Sequence, residues 1–532
     1  MGAPAWASDP RYQDLHAMGR DYPDEVDALV TPWLMQHTRA ELLQLSEEHG
    51  FPVGPLRQMS EVVASPQFAH RGFFREIPHA RHGGIRVPGV PWQFTGEPAV
   101  LPAAAPLLGE HTDAVLAELA VATEAAPAAH LRVLDFSWVW SGPMVTAILA
   151  EFGAQVIKVE HGERLDSSRL RGRPLADGKP MPGPSIEIGP YYHQTNHDKL
   201  GITLNLKSPE ARALVDRLVG ISDIIVENLS PGALSRVGLG WERVSAINPR
   251  LIYLSMAAAG QTGPMSGMRA YAPIMSSYCG LEGMIGYAGE APIGMMNFGY
   301  GDPNAAVHSL VPLLAAIHER EATGQGRHID MSQIEALLAV IAEPLIDQMM
   351  NGREAAPAGN CHPRMAPHGI YPAAGEDRWV SIAVADDSQW RTLVDLMGQP
   401  AWAQGSALAE AKHRVARCAD IDAALAKWTA GHASESLVTR LRAAGIACTP
   451  VQDIAAQWAD PHFTARGIRQ PATHPINGPE WLYTAPWTME HNRPGIRASA
   501  PLLGQHNDHV FRTLLGLDAD HVERLKADGV IA

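Results

Sequence analysis

The residue of this 532-residue chain best placed to do chemistry is a single carboxylate. Asp302 stands in "GYGDPNAAVHSLVPLLAAIHERE", after two glycines and before a proline that opens an apolar run. In that run Ala306, Leu310, Leu313, Leu314 and Ile317 recur at helical spacing. Asp before Pro is an N-cap pattern: the side chain accepts from free backbone N–H groups, and Pro303 takes the first helical position, where its missing donor costs nothing. Local sequence favours the cap and leaves open whether this carboxylate does chemistry.

Other chemistries lose their signature residues. The turn "SWVWSGPMV" holds only Gly142, followed by Pro143, where dinucleotide binding needs G-x-G-x-x-G for close approach of the pyrophosphate, although Glu160 ends the next strand where a ribose-binding acid would sit. No G-x-x-x-x-G-K-[ST], H-E-x-x-H or G-x-S-x-G occurs, which removes the main support for P-loop, zincin and serine-hydrolase readings. Cys279, Cys361, Cys418 and Cys448 are far apart with no C-x-x-C pair, so they read as small buried hydrophobes and support neither a disulfide framework nor a metal site.

The elements that must position Asp302 are those of an α/β protein. "LRVLDFSWVWSGPMVTAILAEFGAQVIKVE" reads as strand, loop, amphipathic helix and strand, a βαβ unit. "ITLNL", "DIIVEN" and "RLIYLSM" continue the strands, and "SPEARALVDRLVG" reads as a helix with Ser208 as N-cap and Pro209 at its first position. This alternation predicts an open, doubly wound parallel sheet over 131–335. A long helix is expected at "IDMSQIEALLAVIAEPLIDQMM", then a linker over 336–370 rich in Pro, Gly and His, and a smaller α+β domain over 371–450.

Length and composition set the frame. Two or three domains are expected at this length. Hydrophobic residues at 46% and charged residues at 19% fit a globular enzyme rather than a disordered chain. A net charge of −15 argues against nucleic acid or an anionic membrane as main partner, so local cations must serve any anionic ligand. No run of 18 apolar residues occurs and the first residues carry neither a basic nor an apolar leader region, so a cytoplasmic protein is expected.

An internal repeat crosses this plan. "PLLGEHTDAVL" at 106–116 returns as "PLLGQHNDHVF" at 501–511 with seven of eleven positions identical, an offset of 395. The same offset relates 50–72 to 445–467. Residues 1–130 therefore read as a partial repeat of the end of the chain, with no counterpart of Asp302, and 451–532 as the segment that returns to the large domain. On that reading 1–130 is less well anchored than its counterpart, and a chain starting near Ala125 keeps its activity.

The single-copy part resembles the class III CoA-transferases, the family of formyl-CoA and carnitine CoA-transferases. The resemblance rests on "RVLDFSWVWSGPMVTAILAEFGAQVIKVE", "NHDKLGITLNLKSPEAR", "VENLSPGALSRVGLGWERVSAINPRLIYLSM", "GQTGPM", "GRHIDMSQIEALL" and "PLLGQHNDHV", from about Leu131 to the C-terminus. It implies an intertwined homodimer, an acyl-CoA donor and a carboxylic acid acceptor, no tightly bound cofactor and no metal. "GDPNAA" matches the family's nucleophile segment at Asp302, which implies a relay through an aspartyl anhydride and an aspartyl-CoA thioester. It implies CoA contacts from Val139, Trp140 and Ser141 along the pantetheine path, and from His161, Leu204, Lys207, Asn228, Leu229, Arg236 and Arg269 at the nucleotide end.

The family also includes α-methylacyl-CoA racemases, whose histidine position falls here at Tyr271, a residue type that ionises near pH 10 and is a poor base. Ala272 stands where formyl-CoA transferase-like sequences tend to carry an acid, and "HPRMAPHGIYPAAGEDRW" replaces their mobile glycine-rich loop. Trp138, Trp140, Met275, Tyr278 and Met295 would suit a larger acyl group. A non-catalytic CoA-binding scaffold is the remaining alternative.

Overall fold

Strands Ile224–Glu227 and Ile252–Ala257 are buried at every residue, as in a sheet covered on both faces. They belong to a seven-stranded sheet in the order Trp92–Phe94, His328–Ser332, Ile252–Ala257, Ile224–Glu227, Arg132–Asp135, Gln155–Glu160, Lys199–Thr203. The last six run parallel. Successive residues of one strand feed opposite cores: Val133 belongs to the core that holds Leu313 and Ala306, and Leu134 to the core that holds Leu218 and Phe511. From Arg132–Asp135 the chain first builds outward through Gln155–Glu160 to Lys199–Thr203, then returns to Ile224–Glu227 on the other side. The strand order reverses there, so a crevice opens past the carboxyl ends of Arg132–Asp135 and Ile224–Glu227, the place where open α/β sheets take ligands.

The structure is a computed structural model, and it describes residues 1–2, 4–13, 18–19, 21–79, 82–94, 131–172, 175–176, 179–180, 186–295, 298–490 and 494–531. The repeat partner at 106–116 lies outside the described residues.

Several elements differ from the sequence reading. The sheet is mixed, because Trp92–Phe94 adds antiparallel to His328–Ser332. "IDM" belongs to that strand, and the helix expected after it is two: Gln333–Val340, capped by Ser332 whose hydroxyl accepts from the Glu335 N–H, and Ala342–Asn351. Pro344 in the first turn of the second helix has no N–H for a continuous ladder, so the helix restarts. The strand over "ITLNL" is Lys199–Thr203, so Leu204 falls beyond its end. Ser208 caps Pro209–Gly220 as expected.

The largest correction concerns the N-terminal stretch, which is tightly anchored. Met59, Val62, Phe68 and Phe73 are all buried. Arg71, 3% exposed, pairs with Asp330 at 2.6 Å and with Glu335 at 2.5 Å. The Gln67 amide donates to the carbonyls of Ala259 at 2.6 Å and Thr262 at 2.9 Å.

The described chain divides into two units. The first holds Met1–Glu282, Met295–Ala355 and Gln470–Ala532, and the second Gly283–Gly294 and Ala356–Arg469. The second unit is α+β, with an antiparallel sheet ordered His368–Pro372, Trp379–Ala383, Ala447–Pro450 and a core that includes Val380, Ile382, Trp390, Leu425 and Leu437. Among the described residues no helix is long and apolar enough to cross a membrane.

Candidate active site

The turn after Arg132–Asp135 is held by charges buried beneath it. Lys158 donates to the Ser137 carbonyl at 2.7 Å and pairs with Asp166 at 3.1 Å, and Asp166 in turn accepts the Val139 N–H at 3.0 Å. Lys199 pairs with Asp135 at 2.9 Å. Burial pushes the Lys199 ammonium down to about 8; against its own burial, Asp135 is held well below the usual carboxylate range by Lys199 and Lys158. Asn228, just past Ile224–Glu227, clamps the turn from the other side: its side chain accepts the Trp138 N–H at 2.7 Å, and donates to the Trp138 carbonyl at 2.7 Å and the Ser141 hydroxyl at 3.0 Å. So fixed, Val139 sits at φ +68°, a strained conformation for a β-branched residue and one found at functional turns. Gly142 follows where a Cβ would fall 2.3 Å from that of Ser137, which is why this turn has its glycine.

Ser141 opens the helix Ser141–Glu151, and its backbone N–H and hydroxyl act on the Asp302 carboxylate to favour its ionised form. Asp302 does not cap its own helix. That helix is Gly301–Thr323, its N-cap is Tyr300 with no side-chain cap bond, and Asp302 sits inside the first turn. Local sequence puts the helix start one or two residues late because Gly301 already adopts helical backbone. The carboxylate is thus free to face a neighbouring helix, whose N-terminal donors meet it. Burial pushes the Asp302 carboxyl up to about 6, while the Ser141 hydrogen bonds and the Arg171 charge pull the other way. Most of it is ionised at neutral pH.

Around Asp302 lies a cavity of about 870 Å³ in the first unit, at the crevice where the strand order reverses. Val139, Trp140, Ser141, Asn228, Leu229, Arg236 and Arg269 line it together with Asp302. His161, Leu204 and Lys207 do not. Leu204 is buried in the apolar core, His161 makes a bridge with Arg164, and Lys207 is exposed after the strand. Of the residues suited to an acyl group, Trp138, Trp140 and Met275 line the cavity, whereas Tyr278 is buried with its hydroxyl on Ser65 at 3.0 Å and Met295 lies elsewhere. The Trp140 ring packs on the backbone of Gly299, where a Cβ would come within 2.9 Å.

Sequence reasoning missed several lining residues. Arg164 and Arg171 come from "HGERLDSSRLRG", whose cluster of arginines just past a strand end was the available signal. Tyr191 meets Trp140 edge to face at 5.5 Å, and burial followed by the Asp302 charge holds its phenol well above the usual range. Gln333 brings a buried amide oxygen with no hydrogen-bond partner, an acceptor open to a ligand N–H. Gly50 and Pro52 come from the N-terminal stretch, and the Gly50 carbonyl accepts from Arg269 at 3.3 Å. Asp302 is the sole carboxylate among the described residues of this wall, against four arginines, Arg164, Arg171, Arg236 and Arg269, none of which forms an ion pair among the described residues.

Far from this cavity in sequence, Cys361 and Cys418 meet inside the second unit with Sγ atoms 3.4 Å apart and Asp422 beside them. The pairing was invisible in the sequence because 57 residues separate the two thiols and the fold closes that gap. Cys279 and Cys448 are buried, but Cys361 is exposed and Cys418 half-buried, so only two of the four behave as buried hydrophobes.

The sequence model of CoA-transferase family III matches residues 1–112 and 129–507. Succinyl-CoA–D-citramalate CoA-transferase of Chloroflexus aurantiacus is 31% identical over 409 residues, covering 76% of this chain and 98% of that protein. The probable CoA-transferase Rv1866 of Mycobacterium tuberculosis is 27% identical over 543 residues, covering 99% of this chain and 66% of its own length. Among solved structures, a CAIB/BAIF family protein from Brucella suis superposes with a TM-score of 0.65 at 28% identity over 74% of this chain and all of that one. With the family pattern matched along most of its length and a relative above 30% identity aligned almost from end to end, this chain belongs to CoA-transferase family III and is an enzyme of that class.

Proposed function

We propose that the enzyme moves CoA between carboxylic acids by a covalent relay on Asp302. The observation that supports this best is the charge pattern of the cavity: among the described residues, one carboxylate beside a helix N-terminus, set among four arginines that form no ion pair, in a chain of net charge −15. Arg164, Arg236 and Arg269 are exposed and suit the phosphates of CoA. Asp302 attacks the donor thioester carbonyl; the C–S bond breaks, CoA leaves as the thiolate, and a mixed anhydride remains. The thiolate attacks the aspartyl carbonyl and releases the donor acid, leaving an aspartyl-CoA thioester. The acceptor carboxylate displaces the thiolate to form a second anhydride, and the thiolate then attacks the acceptor acyl carbonyl, restoring Asp302. Thioester is exchanged for thioester, so no net proton and no ATP are needed. The walls of Trp138, Trp140 and Met275 keep water from the anhydrides.

The relay demands that labelled CoA enter acyl-CoA when no acceptor acid is present. Exchange under those conditions is the expected result. Exchange that appears only with acceptor would favour direct transfer and remove the relay.

The same reading has the chain act as a homodimer.

A further inference from the structure

The cavity contains one cation that the phosphates of CoA do not account for. Arg171 is half-buried, whereas Arg164, Arg236 and Arg269 are exposed. Its guanidinium stands 5.5 Å from the Tyr191 ring centre and 5.9 Å from that of Tyr271. Tyrosine faces position a guanidinium without neutralising it, and they leave its planar N–H fork free to take a carboxylate in two parallel hydrogen bonds. The charge of Arg171 reaches Asp302, yet the two form no ion pair. An arginine paired with the nucleophile would disable it; one set nearby without a partner is a site for another anion. The only carboxylate among the described residues of the cavity wall is Asp302 itself, so that anion comes with the substrate.

We infer that Arg171, between Tyr191 and Tyr271, binds the far carboxylate of a dicarboxylic acyl group while its thioester carbonyl faces Asp302. The inference rests on the relay proposed above and adds its substrate class. It gives Tyr271 a purpose in a wall where, among the described residues, neither a histidine nor a second acid stands. Gln333, with its unpartnered amide oxygen, remains available to the amides of the pantetheine arm.

The test compares succinyl-CoA with pentanoyl-CoA, thioesters of similar length with and without the far carboxylate. The full chain is assayed at pH 8.5, where Asp302 is ionised with or without the Arg171 charge. Covalent capture on Asp302 is read in the same samples. The wild type is expected to favour succinyl-CoA, and Arg171→Met to cut the ratio of the two kcat/KM values by about 100-fold, since a cavity cation built to hold an anion discriminates strongly against a substrate lacking it. Arg171→Lys, which keeps the charge but not the fork, should recover part of the ratio. A ratio unchanged in Arg171→Met, with Asp302 still captured from both thioesters, overturns the inference and leaves the relay standing. Capture from neither thioester in the wild type overturns both.

Discussion

Two stretches related by an offset of 395 residues fold into the same elements and meet opposite fates. At this offset helices Met59–Val63 and Pro66–His70 start where Ile454–Ala459 and Pro461–Arg466 start, each one residue shorter, and the hairpin Phe74–His79/Gly83–Pro88 matches Arg469–His474/Gly478–Tyr483 end for end. In the first stretch Met59 is 1% exposed and Arg71 is sealed into two ion pairs; in the second, Ile454 is 80% exposed and Arg466 is exposed. Trp92–Phe94 extends the large sheet, while its counterpart 487–489 forms no strand. Related patterning therefore specifies the elements, and the surface each stretch meets decides its burial. The first stretch also closes the cavity wall with Gly50 and Pro52.

Removing residues 1–124 tests this difference at its largest. It strips Trp92–Phe94 from the sheet edge and leaves Asp330 and Glu335 without their arginine, so soluble folded protein is expected to be lost, read as yield and far-UV circular dichroism. A soluble, active truncated enzyme would make the stretch dispensable after all.

Arg71→Met leaves two acids buried or half-buried without their cation and should cost about 3–5 kcal/mol, against about 0.5 kcal/mol or less for Arg466→Met in denaturant melts. Equal effects would erase the asymmetry. Phe68→Ala removes a ring packed against Phe73, Phe74 and Tyr278 and should cost about 3 kcal/mol, while Ile454→Ala should be close to neutral in the same measurement.

The smallest effect lies in the cavity that the first stretch walls. The Asp302 carboxyl is raised to about 6 by burial, above its value in the unfolded chain. Its contribution to stability is thus fully present below about pH 4 and is lost as pH rises through 6. Asp302→Asn should melt higher than the wild type at pH 7.5, by about 1–3 kcal/mol, with no such gain near pH 4. A variant less stable at pH 7.5 would mean that the Ser141 hydrogen bonds outweigh burial.

Period and caps made much of this fold legible. The alternation from Leu131 onward gives the parallel sheet its order of elements, and Ser208 with Pro209 marks a helix start. The Asp302 segment was legible as a candidate, but not its geometry, because the donors it meets belong to a helix that starts 161 residues earlier, at Ser141. Arg164, Arg171 and Tyr191 escaped because nothing local distinguishes a cavity arginine from a solvated one. Leu204 and Lys207 show the reverse: placed by likeness to a motif, they lie past the strand end, one in the core and one in solvent. The burial of 59–94 was hidden because it depends on the edge of His328–Ser332, more than 200 residues away.

The account turns on a bond between Asp302 and the substrate. Incubating the full chain with succinyl-CoA and hydroxylamine, then mapping by mass spectrometry, tests this directly, since hydroxylamine attacks an aspartyl thioester or anhydride and leaves a hydroxamate. A hydroxamate on Asp302, absent without acyl-CoA and absent in Asp302→Asn, is the result predicted. Turnover that proceeds with Asp302 unmodified, or with the label on another residue, would contradict it.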